Sequence, residues 1–263
     1  MTDEDEILIS LSDDKIRLTD ENSMLTNTRF LDIRQQTLLF SRFSRDKRCC
    51  RVLFGGYEQA ERRMMFFIPD FIEINDSISL SDFFKENTEL CPLCAVRVKK
   101  DRFSGALTHR DYLGALMGLG IKRETVGDII ICDDGCDIIC ETNVAKYICE
   151  NITSAGRATV QACIIPLKEI REPKESFEIE FHTVASLRLD AVAAQAFRLS
   201  RTKAVEAINK GLVFINGIQT FKCDAKIEEN DKIVLRGKGK IILSEILGES
   251  QKGRIRINIK IYK

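Results

Sequence analysis

The sequence predicts an α+β chain in three parts: a small α/β segment over residues 1–87, a βαββαβ segment over 88–176 and a basic α+β segment over 177–263. Three observations carry this reading. Stretches with helical apolar spacing interleave with stretches of alternating apolar residues along the whole chain. Turn chemistry separates them, as at Asp134-Gly135 and Asn216-Gly217. Charge is laid out unevenly. The chain has 40 Lys+Arg against 40 Asp+Glu, yet residues 186–263 hold 16 against 8, which leaves 24 against 32 for residues 1–185. A basic segment on an acidic body is the footprint of a polyanionic partner. No lipidation motif or basic amphipathic helix accompanies it, so no membrane partner is expected.

Composition narrows the class. Hydrophobic residues at 44% and charged residues at 30% suit a globular, water-soluble chain. Met1-Thr2-Asp3-Glu4-Asp5-Glu6 is too acidic for a secretory signal or an Arg-rich transit peptide. No apolar run approaches a membrane span, and the expected compartment is the cytoplasm. The ten cysteines read as reduced thiols, since their spacing supports no disulfide framework. Cys91-Pro92-Leu93-Cys94 is a lone CxxC. Cys132, Cys136 and Cys140 are split by the Asp134-Gly135 hairpin signal, so they are not expected to converge. With His109 and His182 as the only histidines, no zinc site and no other cofactor is expected.

In the first part, Phe30 to Phe43 carries apolar residues at Phe30, Leu31, Leu38, Leu39 and Phe43, which predicts an amphipathic helix. Val52-Leu53-Phe54 and Met64 to Ile68 read as strands around Gly55-Gly56-Tyr57, a tight turn without the Lys-Ser/Thr ending of a phosphate-binding loop. In the second part, Ala95 to Val98 reads as a strand. Thr108 caps a helix, with Asp111 at the capping-box position. Asp128–Cys132 and Cys136–Cys140 form a hairpin, Thr142 to Ile152 a helix and Thr159 to Ile165 a last strand. The order βαββαβ is ferredoxin-like, or RRM-like. RRM folds stack bases on aromatics of two central strands. Neither Ala95–Val98 nor Cys136–Cys140 holds an aromatic residue, so stacking there is not expected. The basic runs Arg97-Val98-Lys99-Lys100 and Lys122-Arg123 read equally as backbone contacts or as solvated surface. Domain boundaries are expected near 85–90 and 168–180, where Glu, Lys and Pro accumulate.

In the third part, Arg188–Phe197 and Ser200–Asn209 read as two short helices. Lys232–Arg236 and the alternating Ile255, Ile257, Ile259 and Ile261 read as strands. Ser200 is a good N-cap, but Arg201 and Lys203 in the first turn oppose the helix macrodipole. An arriving phosphate would reverse that sign, meeting free N–H groups and two cations together. Exchange of both for Glu is therefore expected to weaken RNA binding without weakening the fold. The spaced set Ser186-Leu187-Arg188-Leu189-Asp190, Leu199-Ser200-Arg201-Thr202-Lys203-Ala204, Lys210-Gly211-Leu212-Val213, Ile215-Asn216-Gly217, Asp231, Ile233 and Arg236-Gly237-Lys238-Gly239-Lys240 resembles the S-four RNA-binding domain, the alpha-L fold. The candidate RNA-binding residues are Arg188, Ser200, Arg201, Lys203, Lys210, Asn216, Gly217, Arg236, Lys238 and Lys240.

A wider resemblance spans nearly the whole chain. Phe30-Leu31-Asp32, Gly55-Gly56-Tyr57-Glu58, the run from Leu107 through Thr108-His109-Arg110-Asp111-Tyr112-Leu113-Gly114 to Lys122-Arg123, and Gly127-Asp128-Ile129 are similar to the bacterial YlmH family. The resemblance implies a cytoplasmic, non-enzymatic RNA-binding protein of the large ribosomal subunit. It implies contact with ribosomal RNA and peptidyl-tRNA during alanine tailing of stalled chains, alongside the alanine-tailing quality-control factor. Two other classes compete. One is an RNA-modifying enzyme, a pseudouridine synthase or methyltransferase carrying an S-four domain; against it stand the lack of a GxGxxG loop and of a catalytic constellation. The other is a cell-division interaction factor.

Overall fold

The computed structural model describes residues 2–171, 177–250 and 253–262. It divides into two compact units, Met1–Pro173 and Lys174–Lys263. The chain is α+β, and among the described residues every strand pairing in both units is antiparallel. Part of the boundary expected near 168–180, residues 172–176, lies outside the described residues.

Unit one begins with α1 (Asp3–Asn22), β1 (Thr26–Asn27), α2 (Ile33–Arg42), β2 (Cys50–Phe54), β3 (Met64–Ile68) and α3 (Ser77–Glu86). The acidic start is the first turn of α1. Thr2 accepts from the Asp5 amide as N-cap, and Asp3, Glu4, Asp5 and Glu6 suit the positive end of the helix dipole. The helix expected over 30–43 starts later, at Ile33. Asp32 caps it in a reciprocal box with Gln35, which leaves Phe30 and Leu31 extended and buried in front of it. The three strands form a sheet of order β1-β3-β2.

The unit continues with β4 (Leu93–Lys100), α4 (His109–Gly118), β5 (Val126–Cys132), β6 (Gly135–Glu141), α5 (Thr142–Asn151), β7 (Ser154–Ala155) and β8 (Ala158–Ile165). Their sheet runs β5-β6-β4-β8-β7. Both faces of this sheet are covered over much of β5, β6 and the start of β4, while Lys99 of β4 and Thr159, Gln161 and Cys163 of β8 stay exposed. Val96, Val98, Cys136, Ile138 and Cys140 point to α4 and α5 and pack with Tyr112, Leu116 and Ile148. The alternate positions Leu93 and Ile139, joined by Ile130, pack against Phe30, Phe54, Phe66 and Phe84 of the N-terminal part. Around Leu93, Ile130 and Ile139, the face on which an RRM would stack bases is therefore interior.

Unit two holds β9 (Phe177–Val184), α6 (Leu189–Ala196), α7 (Arg201–Asn209), β10 (Val213–Ile215), β11 (Ile218–Gln219), β12 (Lys232–Leu235), β13 (Gly239–Glu249) and β14 (Ile255–Tyr262). The sheet order is β11-β10-β12-β13-β14-β9. Period-2 alternation sends Val213, Ile233, Leu235, Ile241, Leu243, Ile257 and Ile259 to one face. There they bury against Leu189, Val192, Ala204 and Ile208 of the two helices. The opposite face has no helix packed on it among the described residues.

Candidate nucleic-acid interface

The start of the helix pair is organised by one buried carboxylate. Asp190, 3% exposed, sits in the first turn of α6. It accepts from Arg188 Nε and Nη2 at 3.2 and 3.3 Å and from Arg201 Nε and Nη2 at 3.1 and 2.9 Å. Burial alone would raise the Asp190 pKa, but the hydrogen bonds from Arg188 and Arg201 outweigh it and hold the carboxyl below its ordinary value. Two guanidiniums on one carboxylate leave a net positive charge at this corner. Ser200 caps α7, its hydroxyl accepting from the Lys203 amide at 3.3 Å. Lys203 is exposed beside it. Arg188, Ser200, Arg201 and Lys203 form one cluster around Asp190. The macrodipole conflict inferred for Arg201 is thus already relieved by Asp190, and an Arg201→Glu exchange would place a second carboxylate against a buried one. The Asp190 contact gives Arg201 a role in the fold that the double exchange would disturb, and it does not involve Lys203.

The other candidates lie elsewhere. Lys210 is the C-cap of α7, at the far end of a nine-residue helix, about 14 Å long at ~1.5 Å per residue. A cation there favours the helix dipole with or without RNA. Asn216 has φ 48° and closes the β10–β11 turn with Gly217. Its amide donates to Asp231 Oδ1 at 2.7 Å and its carbonyl oxygen accepts from the Lys232 amide at 2.9 Å, so the side chain is committed to the turn. Arg236, Lys238 and Lys240 surround the β12–β13 turn. The Arg236 amide donates to the Leu212 carbonyl at 3.0 Å, which brings this turn beside the end of α7. Lys238 is exposed. The Arg236 guanidinium lies 4.6 Å over the Phe214 ring, and the Lys240 ammonium 3.9 Å over Tyr262. Lys260 sits 4.8 Å over Phe177 in the same way. Phe177, Phe214, Lys260 and Tyr262 are absent from the sequence-based selection. The alternation of 256, 258, 260 and 262 on one strand face was visible, but not the distant strands beside it.

In unit one, the short motifs meet at a seam rather than in a cleft. Asp128 accepts from Tyr57 Oη at 2.9 Å and from the amides of Glu61 and Arg62 at 2.7 and 3.0 Å. Arg62 donates onward to the carbonyls of Val126, Phe30 and Arg123. A Cβ on Gly127 would lie 2.6 Å from the Phe30 ring, and one on Gly55 would lie 2.4 Å from the Arg62 carbonyl oxygen. Close approach explains both glycines. His109 is the first residue of α4, its pKa lowered by burial and then by Arg123. His182 has a partner that the sequence did not suggest, Glu180 Oε2 at 3.1 Å. Cys91 packs in one core and Cys94 in the other, dividing the CxxC. Among the described residues no His/Cys/Asp/Glu group is placed to hold a metal ion, and no helix is long and apolar enough to cross a membrane.

Comparison with known proteins bears on these features. Residues 81–169 match the family model described as "Putative RNA-binding domain in YlmH". The chain is 33% identical over 248 residues to the ribosome-associated protein quality control protein P2 of Bacillus subtilis (strain 168), covering 94% of this chain and 91% of that protein. Its fold is like that of the cell division protein ylmH from Streptococcus pneumoniae, with a TM-score of 0.50 at 16% identity over 65% of this chain and 97% of that one. With a relative this similar over almost its full length, the chain belongs to the YlmH family.

Proposed function

We propose that this protein binds the large ribosomal subunit through ribosomal RNA and peptidyl-tRNA, without catalysing a reaction, in quality control of stalled chains and their alanine tailing. The observation that carries this is the cluster built on Asp190. A buried carboxylate fixes Arg188 and Arg201 beside the Ser200-capped helix start, with Lys203 projecting next to them. Fixed guanidiniums and free helix N–H groups suit a phosphate. The name of the Bacillus relative supports the ribosomal setting, and the family model supports RNA as the ligand. That model falls on 81–169, where the sheet is covered on both faces over much of β5 and β6. RNA contacts of unit one would therefore come from exposed cations such as Lys99, Arg102 and Lys122. Residues 177–263 supply most of the affinity in this reading, with Arg188, Ser200, Arg201, Lys203, Arg236, Lys238 and Lys240 as contacts. Co-sedimentation with purified large subunits, with and without P-site tRNA, tests it. Binding strengthened by tRNA is expected. Equal binding to both ribosomal subunits, or none to the large one, contradicts it.

A further inference from the structure

The helix-free face of the unit-two sheet carries its own arrangement of rings and cations. Strand register lines up one row across all six strands: Gln219, Phe214, Val234, Lys240, Tyr262 and Phe177. The neighbouring row is Lys232, Ile242, Lys260 and Ile179, and Asn258 with Phe181 follows. Phe181 and Ile179 are 58% and 60% exposed. The rings of Phe177 and Tyr262 stand 5.7 Å apart, centre to centre, and Phe214 lies three strands away, about 14 Å at ~4.8 Å per strand. Each ring has a cation over it: Arg236 on Phe214, Lys240 on Tyr262 and Lys260 on Phe177. Arg256 and Lys232 add positive charge, and Glu245, opposite Asn258, is the acid in these rows.

We propose that this face is a binding platform for single-stranded RNA, on which unpaired bases stack on Phe177, Tyr262 and Phe214 while the displaced cations take the phosphates. The inference rests on the RNA-binding reading above but adds the ring-bearing sheet face, which shares Arg236 and Lys240 with it, and a different form of RNA. Rings flanked by cations on an exposed sheet are what sequence-tolerant single-strand binding uses. Relative strengths favour exchange. An exposed cation–ring contact is worth roughly two- to fivefold in an equilibrium, and a base stacked on an aromatic ring roughly five- to 150-fold. A base therefore displaces the cation, and the freed charge remains within reach of the backbone of that nucleotide. A protein partner would also fit an apolar patch, but a positively charged one suits an anionic chain better.

The chain has four tyrosines and no tryptophan, so the difference in tyrosine emission between the unaltered protein and Tyr262→Phe isolates the Tyr262 signal. The full-length protein is titrated with a single-stranded RNA oligomer and with a duplex of the same sequence, following anisotropy and tyrosine emission. Quenching by the single strand is expected, and its loss in Tyr262→Phe with affinity kept. Phe177→Leu, Phe214→Leu and Tyr262→Leu keep apolar bulk but remove the flat ring. Each should weaken single-strand binding roughly tenfold, with the duplex affinity and melting temperature unchanged. Unchanged single-strand affinity in all three Leu variants overturns the proposal and leaves the face to a protein partner. If duplex or subunit binding fails as well in the unaltered protein, the broader reading falls with it; if only the single strand fails, the platform alone is lost.

Discussion

Asp190 decides what its neighbours can do. With Arg188 and Arg201 both donating to it, these arginines are held in place before any ligand arrives. Lys203 has no carboxylate within ion-pair distance among the described residues and is the cleaner probe. Lys203→Glu should leave the melting temperature equal or slightly higher, by the ~0.3–1 kcal/mol that an acid gains in a first helical turn, while weakening large-subunit binding. Arg201→Glu should lower stability by up to about 1 kcal/mol, since the pair is partly screened by solvent. Thermal melts of both variants distinguish them. A second buried acid sets a pH dependence. Asp137, fully buried, accepts from Arg97 at 2.9 Å and from Arg171 at 2.8 Å. Burial pushes its pKa up, but these hydrogen bonds prevail and hold it well below the usual carboxylate range. A lowered folded pKa gives stability that is present above the unfolded value of about 3.9 and lost as pH falls further. Urea melts between pH 5 and 2 should show this loss, and Asp137→Asn should flatten it from a lower starting stability.

At the scale of elements, sheet and cap chemistry do different work. Thr108 and Asp111 start α4 where the sequence indicates, because a capping box is local: the Thr108 amide donates to the Asp111 carboxylate at 2.7 Å. The β5–β6 hairpin is equally local, with Cys132 paired to Gly135. Helix α1 escaped the reading because its buried positions include Asp5, Ser12 and Thr19 beside Ile16, which breaks the apolar period. The seam around Asp128 was legible only as motif pieces. Tyr57 and Asp128 are 71 residues apart, and Arg29 reaches Glu141 across 112 residues at 2.6 Å. Nothing in local spacing announces such partners. The same holds for the cation–ring pairs of unit two, whose strands are adjacent only through register. The seam predicts that Gly127→Ala costs about 1–3 kcal/mol, because the new methyl overlaps the Phe30 ring and the surrounding sheets must shift. Chemical denaturation read by near-UV signals from unit one checks this; an unchanged midpoint would show that the ring moves aside freely.

For the whole molecule, the charge asymmetry seen in the sequence coincides with the division into two units. Unit two has a core of its own and carries the excess of cations, whereas unit one buries much of both faces of its larger sheet. Phosphate contacts release counterions, and each one adds roughly −0.9 to the slope of log affinity against log salt on a duplex. Cations on unit two should therefore dominate both the affinity and its salt dependence. The most direct test is large-subunit binding across a salt series, comparing the full chain with residues 1–171. The account predicts steep salt dependence for the full chain and weak, shallow binding for the shortened one. Equal affinity with the same slope would contradict it and place the interface in unit one.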